Sequence, residues 1–536
     1  MIVPMKHLDL VCVAADRSAM LERLRTIGAV QLDLASADGA AVAAARGEIE
    51  EADRAVRLIM KARGRGFSED IRPASVTAVL ALDADRAELE AERERLEREI
   101  KVYEPYGDFD PALARRLLDQ GVDLKEVLPA RLPEMRLSKL REKLARVENR
   151  IAVDTAKIAR ADERAILSSC PALRERMEFE QARSLLQDRG AVAAVSGWIP
   201  APRVAGLAAA AREAGWGLLV REPAAGETPP TLIEPPRFVR PVKALFAGLG
   251  IAPAYDEADV SVPFMAYFSL FFAMLVGDGA YGAIFLAATL LLRRRLAKSW
   301  FVLLTVFSLA TVAWGALSNT WFGAKIPWCE SWPTVRWLAG EGAPAGHEYD
   351  NMMFLCFTIG VSHLMLARLW NGCCRLNDRS CLTQFGWAGI VLFMYVLTNA
   401  IVGIFSGVPV WCYWLFGVSF LTVFVQAKGM DKGMLFLNAM SVLGDIISYV
   451  RLFAVGLASV KVAENFNAMA VDLALPLWIK WLPLVLVLLV GHGLNLAMAG
   501  LSVLVHAVRL NTLEFSNHKG ISWAGFAFKP FMKIKE

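Results

Sequence analysis

A charged α/β half with an antiparallel coiled-coil hairpin, fused to an α-helical membrane half of eight spans, is the architecture this sequence predicts. Three observations carry it. Apolar residues fill 55% of the 536 positions and mean hydropathy is +0.40, too apolar for a water-soluble protein of this size. Charge is lopsided: runs such as Glu88 to Lys101 crowd the first half, whereas Cys381 to Ala427 holds no Asp, Glu, Lys or Arg. Apolar stretches able to cross a bilayer begin only after Pro263. The expected division is therefore a multi-domain chain, 1–243 soluble and 244–536 membrane-embedded.

The first half opens on short strands at Ile2 to Met5 and Asp9 to Ala14, a helix at Ser18 to Ile27 and a strand at Val30 to Leu34. A similar lobe returns with a strand at Ala191 to Trp198, a helix at Pro202 to Ala214 and a strand at Gly217 to Arg221. Between these lobes, Leu82, Leu89, Leu96 and Tyr103 recur every seven residues. Leu140, Val147 and Asp154 form a second seam, flanked by Leu144, Ile151 and Ile158. Two long helices turning back at Pro105, Gly107, Pro111, Pro129 and Pro133 account for both as a coiled-coil hairpin. Two amphipathic helices packed on a globular core are the alternative. The proline-rich segment Pro223 to Pro241 cannot continue a helix and is expected to be an extended linker.

Eight apolar spans follow, at about 262–276, 280–292, 300–321, 352–369, 386–405, 409–427, 435–469 and 481–510. The first two meet at Gly277-Asp278-Gly279, a turn signal. Met1 to Asp16 lacks the basic start, apolar middle and cleavage site of a secretory signal, so the first half is expected in the cytoplasm. Inward loops then carry Arg293, Arg294, Arg295, Lys298, Arg368, Arg375, Arg379, Lys428 and Lys432, and the tail adds Lys519, Lys529, Lys533 and Lys535. The longest outward loop sets Lys325 and Arg336 against Glu330, Glu341, Glu348 and Asp350. This asymmetry obeys the positive-inside rule and places both termini in the cytoplasm. At roughly 1.5 Å per residue the last two spans reach about 45 to 52 Å, well beyond a ~30 Å hydrocarbon core, and must tilt or overrun it.

Several function classes are excluded. A net charge of +4 without a basic, aromatic-studded stripe argues against nucleic acid. No phosphate-binding Gly-x-x-x-x-Gly-Lys-[Ser/Thr] loop occurs, so the chain is not expected to hydrolyse ATP itself, and no catalytic Ser/His/Asp set is recognisable. The eight cysteines form no disulfide framework, and Cys373, Cys374 and Cys381 match no zinc spacing. Free thiols in a reducing cytoplasm, with no metal or cofactor, are the expectation.

The chemistry-bearing residues lie in the last two spans. Arg451 sits near the middle of span seven, where an arginine costs about 2.5–3.5 kcal/mol to insert. Arginine keeps its proton in any surroundings, so it can favour or release a partner carboxylate's ion without taking the ion itself. Its face carries Gly444, Ser448, Val455, Ala458 and Val462, mostly small, as a surface sliding past another helix requires. A structural pairing with Asp445 or a lipid phosphate is the alternative. In span eight Arg509 follows His506 by three residues, continuing the face of Met498 and Ser502. His506 suits proton relay, while Arg509 could equally snorkel to the interface. Asp445, Lys461 and Glu464 give further polar points that could line water-filled half-channels.

These residues carry a family resemblance. Ser448-Tyr449-Val450-Arg451-Leu452-Phe453-Ala454, followed by Gly456-Leu457-Ala458, resembles the Ser-Tyr-x-Arg-Leu-(Trp/Phe)-Ala-x-x-Leu-Ala stretch of subunit I (subunit a) of V/A-type rotary ATPases. His506-x-x-Arg509-Leu510 with Glu514 is similar to that family's second stretch, and Phe528-Lys529-Pro530-Phe531 to its closing motif. Gly277 to Gly282, Gly197-Trp198-Ile199-Pro200 and Pro229-Pro230-Thr231 match further points, so the likeness covers nearly the whole chain. Ser459 and Ala499 depart from it, standing where eukaryotic relatives often carry His and Glu. The resemblance implies a membrane stator that passes H⁺ or Na⁺ through two half-channels. Arg451 would face the carboxylate of a proteolipid rotor ring, and Arg509, His506, Asp445, Ser448, Tyr449 and Glu464 would serve the route. It also implies peripheral-stalk subunits as partners of the soluble half, and ATPase head and central-stalk subunits indirectly. The competing class is a secondary ion-coupled transporter with a regulatory domain, for which paired repeats with broken helices should be visible and are not.

Overall fold

The computed structural model describes residues 1–33, 40–64, 71–120, 129, 131–189, 191–344, 346–472 and 476–533; Leu34 and Lys535, named above, lie outside them. Two units divide the chain: Lys6–Glu222 with Lys529–Glu536, and Pro223–Phe528 with Met1–Met5. In chain order the first holds β1 (Met5–Val13), α1 (Arg17–Ile27), β2 (Gln31–Leu32), α2 (Ala40–Arg63), α3 (Val76–Tyr103) and α4 (Pro111–Asp119). It continues with α5 (Leu137–Arg160), α6 (Glu163–Leu185), β3 (Gln187–Arg189), β4 (Val192–Pro200), α7 (Val204–Glu213) and β5 (Gly217–Arg221).

Leu8, Leu10 and Cys12 of β1 point inward while Val11 and Val13 point out, the period of two that a half-buried strand demands. The two strands expected at Ile2 to Met5 and Asp9 to Ala14 are thus one strand plus an isolated bridge from Ile2 to Ile233. The two expected lobes are likewise a single five-stranded sheet, in the order β2-β4-β1-β5 with β3 on β4. Gln31 pairs with Trp198 and His7 with Arg221, both antiparallel. Two short strands alone could not bury a face, so distant segments complete each other. Met20, Leu21 and Leu24 of α1 and Leu207 and Ala211 of α7 cover the sheet.

Leu89, Leu96 and Tyr103 of α3 share a buried cluster with Leu137, Leu140 and Val147 of α5. Arg141 to Glu104 (2.7 Å) and Lys143 to Glu92 (2.7 Å) bridge the pair outside that seam. Toward Val79 and Ile158 the pair is not free-standing: Ala52, Ala55 and Ile59 of α2 and Ile166 and Cys170 of α6 pack into it. Asp154, at a seam position, is held by Lys157 at 2.9 Å.

The second unit holds α8 (Val242–Leu249), α9 (Ser261–Val276), α10 (Gly279–Leu291), α11 (Lys298–Ser318), α12 (Pro333–Leu338) and α13 (Asp350–Cys374). After these come α14 (Ser380–Val402), α15 (Val410–Gln426), α16 (Asp431–Ile447), α17 (Val450–Val471), α18 (Leu477–Ser502) and, past an irregular stretch, α19 (Ser516–Lys519). The proline-rich segment is not a free linker, because Thr231 N bonds Phe526 O (2.8 Å), Phe528 N bonds Thr231 O (3.0 Å), and Val3 N bonds Leu232 O (2.8 Å).

Among the described residues five helices are long and apolar enough to cross a membrane: Lys298–Ser318, Asp350–Cys374, Ser380–Val402, Lys432–Val471 and Lys480–Lys519. The chain is a membrane protein, and these five account for part of the eight spans expected. The first two expected spans are α9 and α10, a pair bent by 118°. Gly277 ends α9 at φ +71°, and the Asp278 carboxylate caps α10 by accepting from Ala280 N (2.8 Å). At 16 residues, α9 rises only about 24 Å. The sixth expected span is α15, 17 residues long. The last two spans are longer than expected, 40 residues each, about 60 Å at the α-helical rise.

Candidate functional site: a shared carboxylate between two intramembrane arginines

Span seven breaks at Ser448 and Tyr449, between α16 and α17. Leu452 N bonds the Tyr449 carbonyl (3.0 Å), a tightened turn, and so leaves the Ser448 carbonyl without the usual helical donor. Arg451 takes it: Nε donates to Ser448 O at 2.9 Å. The same guanidinium extends Nη2 to Glu514 Oε1 at 3.0 Å.

Span eight is irregular at the matching place. π-helical segments at Val503–Ala507 and Leu510–Phe515 flank Arg509, and such segments cluster where a side chain must be re-aimed. The second of them buries Glu514, whose Oε1 lies 3.3 Å from Arg509 Nε and 3.5 Å from Ser448 Oγ. Arg509 therefore folds back onto a carboxylate. Glu514 Oε2 is buried without a hydrogen-bond partner among the described residues, as is Nδ1 of His506. Arg451 is 25% exposed and Arg509 52%, against 5% for Glu514. Both cations thus reach the surface over a buried anion.

The other expected residues lie apart. Tyr449 is fully buried, its hydroxyl 2.9 Å from Nδ1 of His363, which stacks between Tyr267 and Phe515. Asp445 Oδ2 sits 3.1 Å from Nε2 of His518, whose Nδ1 accepts from Arg368 Nε at 3.1 Å. The His518 proton consequently resides on Nε2, toward Asp445. Glu464 pairs with Lys461 at 2.7 Å. Both line a cavity of about 320 Å³ that follows α17 past Val460 and Gly456 to Leu452 and Phe453. The twelve steps from Leu452 to Glu464 correspond to about 18 Å of helix. Its other wall includes Met274, Gly277, Thr320, Lys325 and Glu348.

Sequence reasoning placed no function on Glu514, His518, Arg368 or a third polar group. In that group Tyr281 Oη meets His492 Nδ1 (2.8 Å), Asn495 Nδ2 donates to Tyr281 Oη (3.0 Å) and to Ser459 O (2.8 Å), and His492 Nε2 meets Asn467 Oδ1 (3.1 Å). Glu514 entered only as part of the resemblance; for the third group the signal was the polar spacing of Asn467, His492 and Asn495 in otherwise apolar spans.

No family model matches the chain. A V-type ATP synthase subunit I from Borreliella burgdorferi is 33% identical over 386 residues, 67% of this chain and 63% of that one. V-type ATP synthase subunit I 1 of Treponema pallidum is 28% identical across 99% of this chain and 100% of that one. The chain belongs to the subunit I family of V/A-type ATP synthases. An archaeal member, the A-type ATP synthase subunit I of Methanocaldococcus jannaschii, is 25% identical over 57% of this chain and 49% of that one. The chain thus spans just under two thirds of the Borreliella family member, about half of the archaeal one and all of the Treponema one.

Proposed function

We propose that this chain is the membrane stator of a rotary ATPase complex, guiding H⁺ or Na⁺ past a proteolipid rotor ring while other subunits hydrolyse or make ATP. The observation that supports this reading is Arg451, held at a helix break in a long apolar span and bonded to both Ser448 O and the buried Glu514. The cavity supplies one half-channel, entered beside Glu464 and Lys461. The polar groups around Asp445 and His518 supply the other. An ion arriving through one half-channel neutralises a rotor carboxylate, which then turns through lipid. On return, Arg451 favours the ionised form and the ion leaves by the second half-channel. The last span supports a missing partner, since only 17% of its apolar window is buried, against 33–50% for the other four. In this reading the first unit is a cytoplasmic stator arm gripping peripheral-stalk subunits, contacts to head and central-stalk subunits are indirect, and the chain is non-catalytic in the cell membrane.

Extraction in mild detergent should bring the chain out with a proteolipid ring and ATPase head subunits; isolation alone would favour the transporter class and end this reading. For the proposed topology, a cysteine at Gly346 should react with an impermeant thiol reagent from outside intact cells. One at Lys533 should react only after the membrane is opened. The reverse pattern overturns the orientation.

A further inference from the structure

Two arginines from different spans converge on one carboxylate oxygen, at 3.0 and 3.3 Å, while the carboxylate's second oxygen is buried without a partner. We infer that Glu514 is the stator's own counter-ion, a positioning residue that halves the positive charge offered to a passing rotor carboxylate. This rests on the stator reading above and assigns a role to a residue that reading does not need.

The argument is one of charge and geometry. Arg451 and Arg509 bring two positive charges and Glu514 one negative, leaving a net charge of one. That matches a single carboxylate. Glu514 and the Ser448 carbonyl occupy Nη2 and Nε of Arg451, so the guanidinium is pinned in one orientation, and among the described residues no hydrogen bond to Nη1 is seen. A planar fork permits this division of donors; an ammonium does not. The other titratable and charged groups nearby are Tyr449 and Asp445 on span seven, His506 on span eight and His363, which stacks on Phe515. Among the described residues Asp445, the further carboxylate on span seven, is engaged by His518.

Without Glu514 a rotor carboxylate would meet two unopposed cations. Its ionised form would be favoured further, and regaining an ion would need a higher ion concentration. The test is ATP-driven transport by the whole complex in vesicles, with Glu514→Gln, Arg509→Gln and the double variant. In a proton-driven complex, Glu514→Gln should move the pH of half-maximal rate about one unit toward acid, and Arg509→Gln about one unit toward alkaline. In a sodium-driven complex the corresponding shifts are about tenfold in sodium concentration, up and down. The double variant restores a net charge of one and should return near the parental midpoint, as should Glu514→Asp. A Glu514→Gln complex with lowered rate but an unmoved midpoint would show a purely structural role and overturn the inference. If Glu514→Gln does not assemble, an unmoved midpoint in Arg509→Gln overturns it equally. Normal transport by Arg451→Ala in the same vesicles would instead remove the stator reading beneath it.

Discussion

Arg451→Ala is expected to abolish ion transport coupled to ATP turnover, to below about one hundredth of the parental rate, as loss of a preorganised charge at a reacting centre does. The complex should still assemble. Alanine leaves Glu514 with Arg509 as its partner at 3.3 Å, so no unpaired buried charge is created. It also leaves the break at Ser448 and Tyr449 intact, because that turn is closed by backbone bonds from Tyr449 N and Leu452 N. Arg451→Lys should fail nearly as badly. Lysine has one donor centre where arginine uses two, toward Ser448 O and Glu514, and it can lose its proton when desolvated. Proton or sodium uptake by vesicles, with recovery of co-purified subunits as the control, measures both quantities. Uptake at the parental rate in either variant would remove Arg451 from the mechanism.

The second large effect concerns the bent pair. Gly315 of α11 lies against the start of α10 so closely that a Cβ placed there would fall on the backbone of Gly279. Across the same contact, a Cβ on Gly282 would approach Val312 N to 2.8 Å. No side-chain rearrangement relieves a collision with backbone. Gly315→Val should therefore cost more than about 3 kcal/mol, above the usual overpacking range, and either melt the unit or spring α10 away from α11. Gly315→Ala should do the same to a smaller extent. Thermal unfolding of the detergent-solubilised protein, or its yield in the membrane, reads the outcome. A valine variant with parental thermal stability would mean that the two helices do not meet at this level.

Much of this was legible in the sequence because the signals were local. Charge at mid-span singled out Arg451, the heptads gave α3 and α5, and Gly277-Asp278-Gly279 marked the turn that the Asp278 cap then closes. What escaped needed long-range pairing or departed from the regular helix. Nothing near Gln31 announces Trp198 as its partner. Glu514 stands five residues after Arg509, which on an α-helix puts it about 140° around the axis. The π-helical turn brings residues five apart into register, and so places the carboxylate beside the arginine. The span count is less legible for a related reason: composition reveals apolar character but not the 118° bend between α9 and α10.

The arrangement of the two arginines also bears on how such a chain is made. Arg509 is half exposed and Arg451 a quarter exposed on a pair of helices that present long apolar flanks. In a bilayer with no partner against them, these cations would face acyl chains, and lipid answers an exposed guanidinium by thinning and admitting water. A newly inserted chain is then a weak point in the permeability barrier of its own membrane. If the proposed rotor ring covers that face, biogenesis is safest when the ring arrives promptly or an escort holds the face in the meantime. Overproducing the chain alone should, on this view, burden a cell through its ion gradients before it burdens it through aggregation.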